Sequence, residues 1–129
     1  MSSYNATVDL PPVIGSVPLA RHVTLDLLQA WGSAHDLDDA ALLVSELVSN
    51  VVDHVQGEAV LTLGMAMAGE WLRISVADGS AVRPVIRELA EDRPRGRGLQ
   101  LLEAIASRWG AEDHQGGKRL WFELTPAPR

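Results

Sequence analysis

The chain has no cysteine, so neither a disulfide framework nor a thiolate metal centre is available, and a reducing compartment is permitted. It also lacks any apolar run near the roughly 20 residues needed to cross a bilayer. The opening Met-Ser-Ser-Tyr-Asn-Ala-Thr has neither the basic nor the apolar region of a signal peptide. These absences are read as a cytoplasmic protein with no membrane partner. Positive charge is short as well: 11 Lys and Arg face 17 Asp and Glu, and the net charge of −6 repels a polyanion, which argues against nucleic acid. The one basic concentration is Arg93, Arg95 and Arg97, interspersed with Pro94 and Gly96, and it suits a small phosphate ligand better than a duplex. No internal repeat or low-complexity tract occurs. What remains is an ordinary globular mixture, 47% hydrophobic and 22% charged in 129 residues, enough for one domain, residues 1–129, with one core.

Periodicity divides the chain into elements. Tyr4, Ala6, Val8 and Leu10 alternate with polar residues, predicting a strand that Pro11-Pro12 stops. Ser16 with Pro18 just inside starts a helix, along which Ala20, Val23, Leu27, Ala30 and Trp31 recur until Gly32 ends it. Asp36 caps a second helix reaching about Val55, with Asp38 and Asp39 in its first turn. Two alternating runs, Leu61 to Met67 and Leu72 to Val76, flank Ala68-Gly69-Glu70 and predict a hairpin. An Arg-, Pro- and Gly-rich loop fills 79–98, with one helical turn expected near 85–90, and a helix opens after Gly98 with Leu99, Leu102, Ile105 and Ala106. A second hairpin joins Trp109–His114 to Lys118–Leu124 through 115–117. This succession predicts an α+β fold: a two-layer sandwich with a mixed, mostly antiparallel sheet and helices on one face. The strand order is not legible from it.

Three features carry possible chemistry. On a helical wheel Leu37, Ala40, Ala41, Val44, Leu47, Val48, Val51, Val52 and Val55 share one arc, while Glu46, Asn50 and His54 form an i, i+4 row opposite, with Asp53 alongside. That row is either the solvated side of an amphipathic helix or a site; Leu42 and Leu43, on the same side, speak against full exposure. Asp78 continues the parity of Leu72, Ile74 and Val76, which aims its carboxylate at the covered face of the sheet. It serves either as the start of a turn with Gly79-Ser80 or as an acceptor for a ligand amine. Gly96 and Gly98 precede a helix whose first N–H groups are free to meet an anion. A lone Gly-x-Gly is weak evidence, and neither a P-loop nor a dinucleotide fingerprint surrounds it. The four histidines have no zinc-site spacing.

Taken in order, Glu-Leu-Val-Ser-Asn-x-x-x-His on a helix, Val-Ala-Asp-Gly-Ser at a strand end and Gly-Arg-Gly-Leu opening a helix resemble the Bergerat-fold ATP-binding superfamily (GHKL, histidine-kinase-like ATPases). Within it, the chain is similar to the small bacterial anti-sigma factor and serine/threonine kinase branch, over about Val17 to Leu124. The resemblance implies ATP and Mg²⁺ as cofactors. Asn50 would ligate the metal, Glu46 would be the catalytic acid/base that orients the attacking hydroxyl, and His54 would contact the phosphates. Asp78, followed by Gly79, would accept the adenine amine. Gly96, Gly98 and the N–H groups at Leu99 would cradle the phosphates, with Arg95 and Arg97 in a lid before them. The implied partners are a sigma factor and an anti-anti-sigma antagonist, the latter phosphorylated on Ser or Thr, and homodimers are common in the branch.

The chain departs from the family pattern in four places. Val51 stands where alanine is usual, Asp53 where a basic residue is common, Asp78-Gly79-Ser80 has one glycine fewer, and Gly117-Lys118-Arg119 offers no threonine. Two functions follow: an ATP-dependent protein kinase that sequesters a sigma factor, or a binding module that keeps the fold without turnover.

Overall fold

A computed structural model describes residues 3–54, 60–78, 97–114 and 117–126, with backbone alone at 54, 97–99 and 114. Strand β1 (Ser3–Leu10) leads through Pro11-Pro12 into helix α1 (Ser16–Ala30). Ser16 lies inside this helix, its Oγ donating to the Pro11 carbonyl at 2.6 Å, so it pins the incoming loop and is not a cap; the N-cap is Gly15. Ser16, Ala20, Thr24 and Leu28 form the buried stripe, rotated from the expected one, and Ala30 is exposed. Val23, Leu27 and Trp31 flank it, partly buried against the core. At the far end the Ser33 N–H reaches the Leu28 carbonyl and the Gly32 N–H the Gln29 carbonyl, with Gly32 at φ +67°. This is the glycine-terminated 6→1, 5→2 ending that satisfies the last carbonyls of a helix.

Helix α2 (Leu37–His54) is capped as expected: the Asp36 carboxylate accepts the Asp39 N–H at 2.9 Å. His35, just before it, is buried and ties the α1–α2 connection to the sheet. Its Nε2 lies 2.8 Å from the Glu70 carbonyl, which can only accept, so Nε2 carries the proton, and Nδ1 lies 2.8 Å from Ser33 Oγ. Strands β2 (Leu61–Ala68) and β3 (Trp71–Asp78) make the first hairpin, turning at Gly69 with φ +60°. Helix α3 (Arg97–Ile105) begins two residues earlier than the glycine pattern suggested and ends before Ala106. Strands β4 (Arg108–His114) and β5 (Gly117–Leu124) close the chain.

The sheet order is β1-β2-β3-β5-β4, and all four pairings are antiparallel, so the expected mixed sheet is wholly antiparallel among the described residues. The last strand therefore inserts beside β3 and leaves β4 on the edge. The residue content explains the choice: β5 brings Leu120, Phe122 and Leu124 to the core, all buried, whereas β4 offers only half-buried Trp109 and Ala111. Register aligns Leu63 with Val76, Val76 with Leu120, Ile74 with Phe122, and Phe122 with Trp109, making one apolar face. Against it pack Leu43, Val44, Leu47, Val48 and Val51 of α2, Ala20 and Leu28 of α1, and Leu102 of α3.

The opposite face carries a polar and aromatic cluster. The Arg73 guanidinium lies 4.2 Å from the Trp121 ring centre and the Arg108 guanidinium 4.1 Å from that of Trp71. Arg73 and Arg108 both reach Glu123, and Arg73 and Arg119 both reach Glu112. No helix among the described residues is long and apolar enough to cross a membrane.

Candidate functional site

The site is built from α2, the end of β3 and the start of α3, and α2 packs against both of the others. Along α2 the core arc is as expected, with Ala40, Ala41, Val44, Leu47, Val48 and Val51 buried. The opposite row is not a solvated face. Asn50 is only 6% exposed, Glu46 is half-buried, and Leu43 is fully buried beside them. Asp53, alongside them, is exposed. Val51 sits in the core at 1%, so its extra bulk relative to alanine is absorbed by core packing.

Among the described residues, Asn50 Nδ2 is one of three buried side-chain atoms without a hydrogen-bond partner, the others being Thr24 Oγ1 and Arg119 Nε. An unsatisfied buried amide costs about 1–3 kcal/mol. A ligand that met this amide would remove the cost, and half a turn of the group exchanges its donor for an acceptor. Within the described residues no three His, Cys, Asp or Glu side chains converge on a metal position. Asn50 would suit a hard cation through its amide oxygen.

Asp78 is 3% exposed and ends β3 opposite Leu61 on one side and Lys118 on the other. That register puts it on the helix-covered face with Val76, as the strand parity predicted. Lys118, in register with it, directs its Nζ to Asp113 at 2.6 Å. Arg97, Gly98 and Leu99 form the first turn of α3, whose N–H groups are therefore those of a helix start. His54 is the last residue of α2. Gly79, Arg95 and Gly96, the segment read as a lid and the helical turn expected near 85–90 lie outside the described residues.

Between α2 and α3 opens a cleft of about 590 Å³ lined by Leu42, Glu46, Gln100, Leu101 and Ala104. Glu46 thus reaches the α3 side as well as belonging to the row with Asn50. Sequence reasoning did not single out Gln100, Leu101 or Ala104. Their one legible signal was Leu42, an apolar residue on the polar side of α2.

The sequence model of the histidine kinase-like ATPase domain matches residues 10–124, nearly the whole chain. The chain belongs to that family. Among solved structures, the histidine kinase domain of the blue-light activated histidine kinase from Erythrobacter litoralis EL346 is similar, with a TM-score of 0.57 and 22% identity. The match covers 70% of this chain and 44% of that one, so the chain spans less than half the length of that structure. At this identity the likeness shows the fold, and it is the α+β sandwich read from the sequence. Among curated proteins no sequence matches. Membership of that family supports ATP binding.

Proposed function

We infer that this ATPase domain is an ATP- and Mg²⁺-dependent protein kinase of the anti-sigma factor kind. It phosphorylates a serine or threonine of an anti-anti-sigma antagonist and binds a sigma factor. The observation that carries the reading is the α2 row: Asn50 buried with an unpartnered amide nitrogen, and Glu46 one turn away, half-buried at the mouth of a cleft. Asn50 would hold the metal through its amide oxygen, and the metal would supply charge neutralisation between the phosphates. Asp78, buried on the covered face, would accept the adenine amine, followed by Gly79 in the next segment. His54, Arg95, Gly96, Arg97, Gly98 and the Leu99 N–H would gather around the phosphates at the start of α3. Glu46 would take the acceptor hydroxyl's proton as that oxygen bonds the γ-phosphorus. The β–γ bridging P–O bond breaks, and ADP leaves with its electron pair.

The pair Asn50→Ala and Glu46→Ala tests this. Asn50→Ala is expected to lose ATP affinity and transfer together, whereas Glu46→Ala keeps ATP binding within a few-fold and loses roughly 10²–10⁴ in transfer rate, the worth of general-base help. The measurements are equilibrium ATP binding and single-turnover transfer from labelled ATP to purified antagonist domains. A parent that binds ATP and an antagonist yet transfers no phosphate would show a binding module instead, a reading favoured by the exposed Asp53 carboxylate one turn from Asn50.

A further inference from the structure

We propose that the cleft between α2 and α3 is the docking groove for the phosphoacceptor segment of the protein substrate, a short non-acidic stretch that places an apolar side chain beside its reactive serine or threonine. This rests on the kinase reading above and adds to it the route by which the acceptor arrives.

The argument begins with Leu42. It is 41% exposed on a helix whose other leucines in the same stretch, Leu43 and Leu47, are at most 1% exposed. Leu42, Glu46 and Asn50 stand at i, i+4 and i+8, one above another along a single row. Asn50 lies at the closed end of that row and Leu42 at the open end, with Glu46 between them and facing the cleft. Transfer of a phosphoryl group needs the incoming oxygen roughly in line with, and opposite to, the leaving oxygen. A nucleotide bound at Asn50 therefore leaves the Leu42 side of Glu46 as the approach for a hydroxyl. The cleft is continuous with the site through Glu46 itself.

The lining specifies the occupant. Leu42, Leu101 and Ala104 are apolar, Gln100 offers an amide that can both donate to and accept from a peptide backbone, and Glu46 is the one charged group of the lining among the described residues. A carboxylate-bearing segment would meet Glu46 unpaired, against a chain whose net charge is already −6. About 590 Å³ falls in the range of ligand pockets and holds a few side chains, not a folded element.

The test uses the intact chain and, as probe, the antagonist domain that the parent phosphorylates. Three variants are compared: Leu42→Ser removes the apolar contact, Ala104→Phe fills the groove, and Leu42→Met keeps an apolar side chain there. Leu42→Ser and Ala104→Phe are expected to raise the KM for the antagonist about tenfold or more, the effect of losing a buried leucine contact. Leu42→Met should stay within about threefold of the parent, a volume-conserving swap. ATP affinity of all three should match the parent. An unchanged antagonist KM in both disruptive variants would overturn the assignment. So would a parallel fall in ATP affinity, which would give the cleft to the nucleotide. A parent that binds ATP but phosphorylates no antagonist removes the kinase reading and this groove with it, an outcome distinct from failure of the groove alone.

Discussion

Single side chains carry most of the chemistry, and burial separates those that matter. Asp78 and Asn50 are polar groups placed where polar groups are costly. Asp78→Asn presents an amide donor to a ligand amine, and ATP affinity is expected to fall by about 1–3 kcal/mol, measured by titration calorimetry. An unchanged affinity would leave Asp78 only a turn residue. Thr24 is a contrasting case. It is fully buried on α1, with Oγ1 unpartnered and outside the α2, β3 and α3 site. Thr24→Val replaces that hydroxyl with a methyl group of similar size and is expected to stabilise the fold by about 1 kcal/mol in urea melts. The sequence marked Asp78 through strand parity, because alternate residues of a strand share a face. It gave no sign of Thr24, because the Val23, Leu27 and Trp31 pattern is as helical as the 16, 20, 24, 28 stripe. Only packing against α2 decides which stripe goes inside.

The elements depend on their ends. The first turn of α2 gathers Asp36, Asp38 and Asp39, and burial, with smaller contributions from Asp36 and then Asp38, raises the Asp39 carboxyl above its ordinary value. A carboxyl that binds its proton more tightly in the folded state lowers stability as pH rises from its unfolded value through its folded value. Asp39→Asn is therefore expected to be more stable than the parent at about pH 7 and to lose that advantage at about pH 3, below both values. Thermal melts at the two conditions check this, and the same gap at both would dismiss it. The cap itself was legible from Asp36 because an aspartate three residues before an N–H that needs a partner is a local relation. The end of α1 was legible for the same reason, since Gly32 adopts the positive φ that an L side chain resists. The start of α3 was displaced by two residues, a local detail on which the glycine spacing is silent.

For the whole molecule, the question is how two layers come to hold one site. The face of the sheet opposite α2 is closed by close approach: a Cβ on Gly110 would lie 2.8 Å from the Trp121 ring, which in turn lies under Arg73. Gly110→Ala should displace that ring and cost about 1–3 kcal/mol in chemical denaturation, as overpacking does. Because the Trp121 face lies across the sheet from α2, ATP affinity of the folded variant should be unchanged. A loss of affinity out of proportion to stability would mean the two faces are coupled.

What the sequence by itself determined was everything set by neighbours a few residues apart. The three helices and two hairpins of the described residues, the cap at Asp36, the core arc of α2 and the inward parity of Asp78 all follow from periods of 3.6 and 2 and from turn chemistry. The Glu46-Asn50 row was also visible, as a row. Tertiary structure alone decided that Asn50 is buried and Glu46 half-buried, because exposure depends on which element packs beside the face, and here α3 packs on α2 with a cleft between them. It alone decided the order β1-β2-β3-β5-β4, since either strand of the last hairpin could meet β3 and only the competition of Leu120, Phe122 and Leu124 for the core selects β5. The cleft at Leu42 has the same origin: its walls are residues some 60 apart in the chain, and no local pattern relates them.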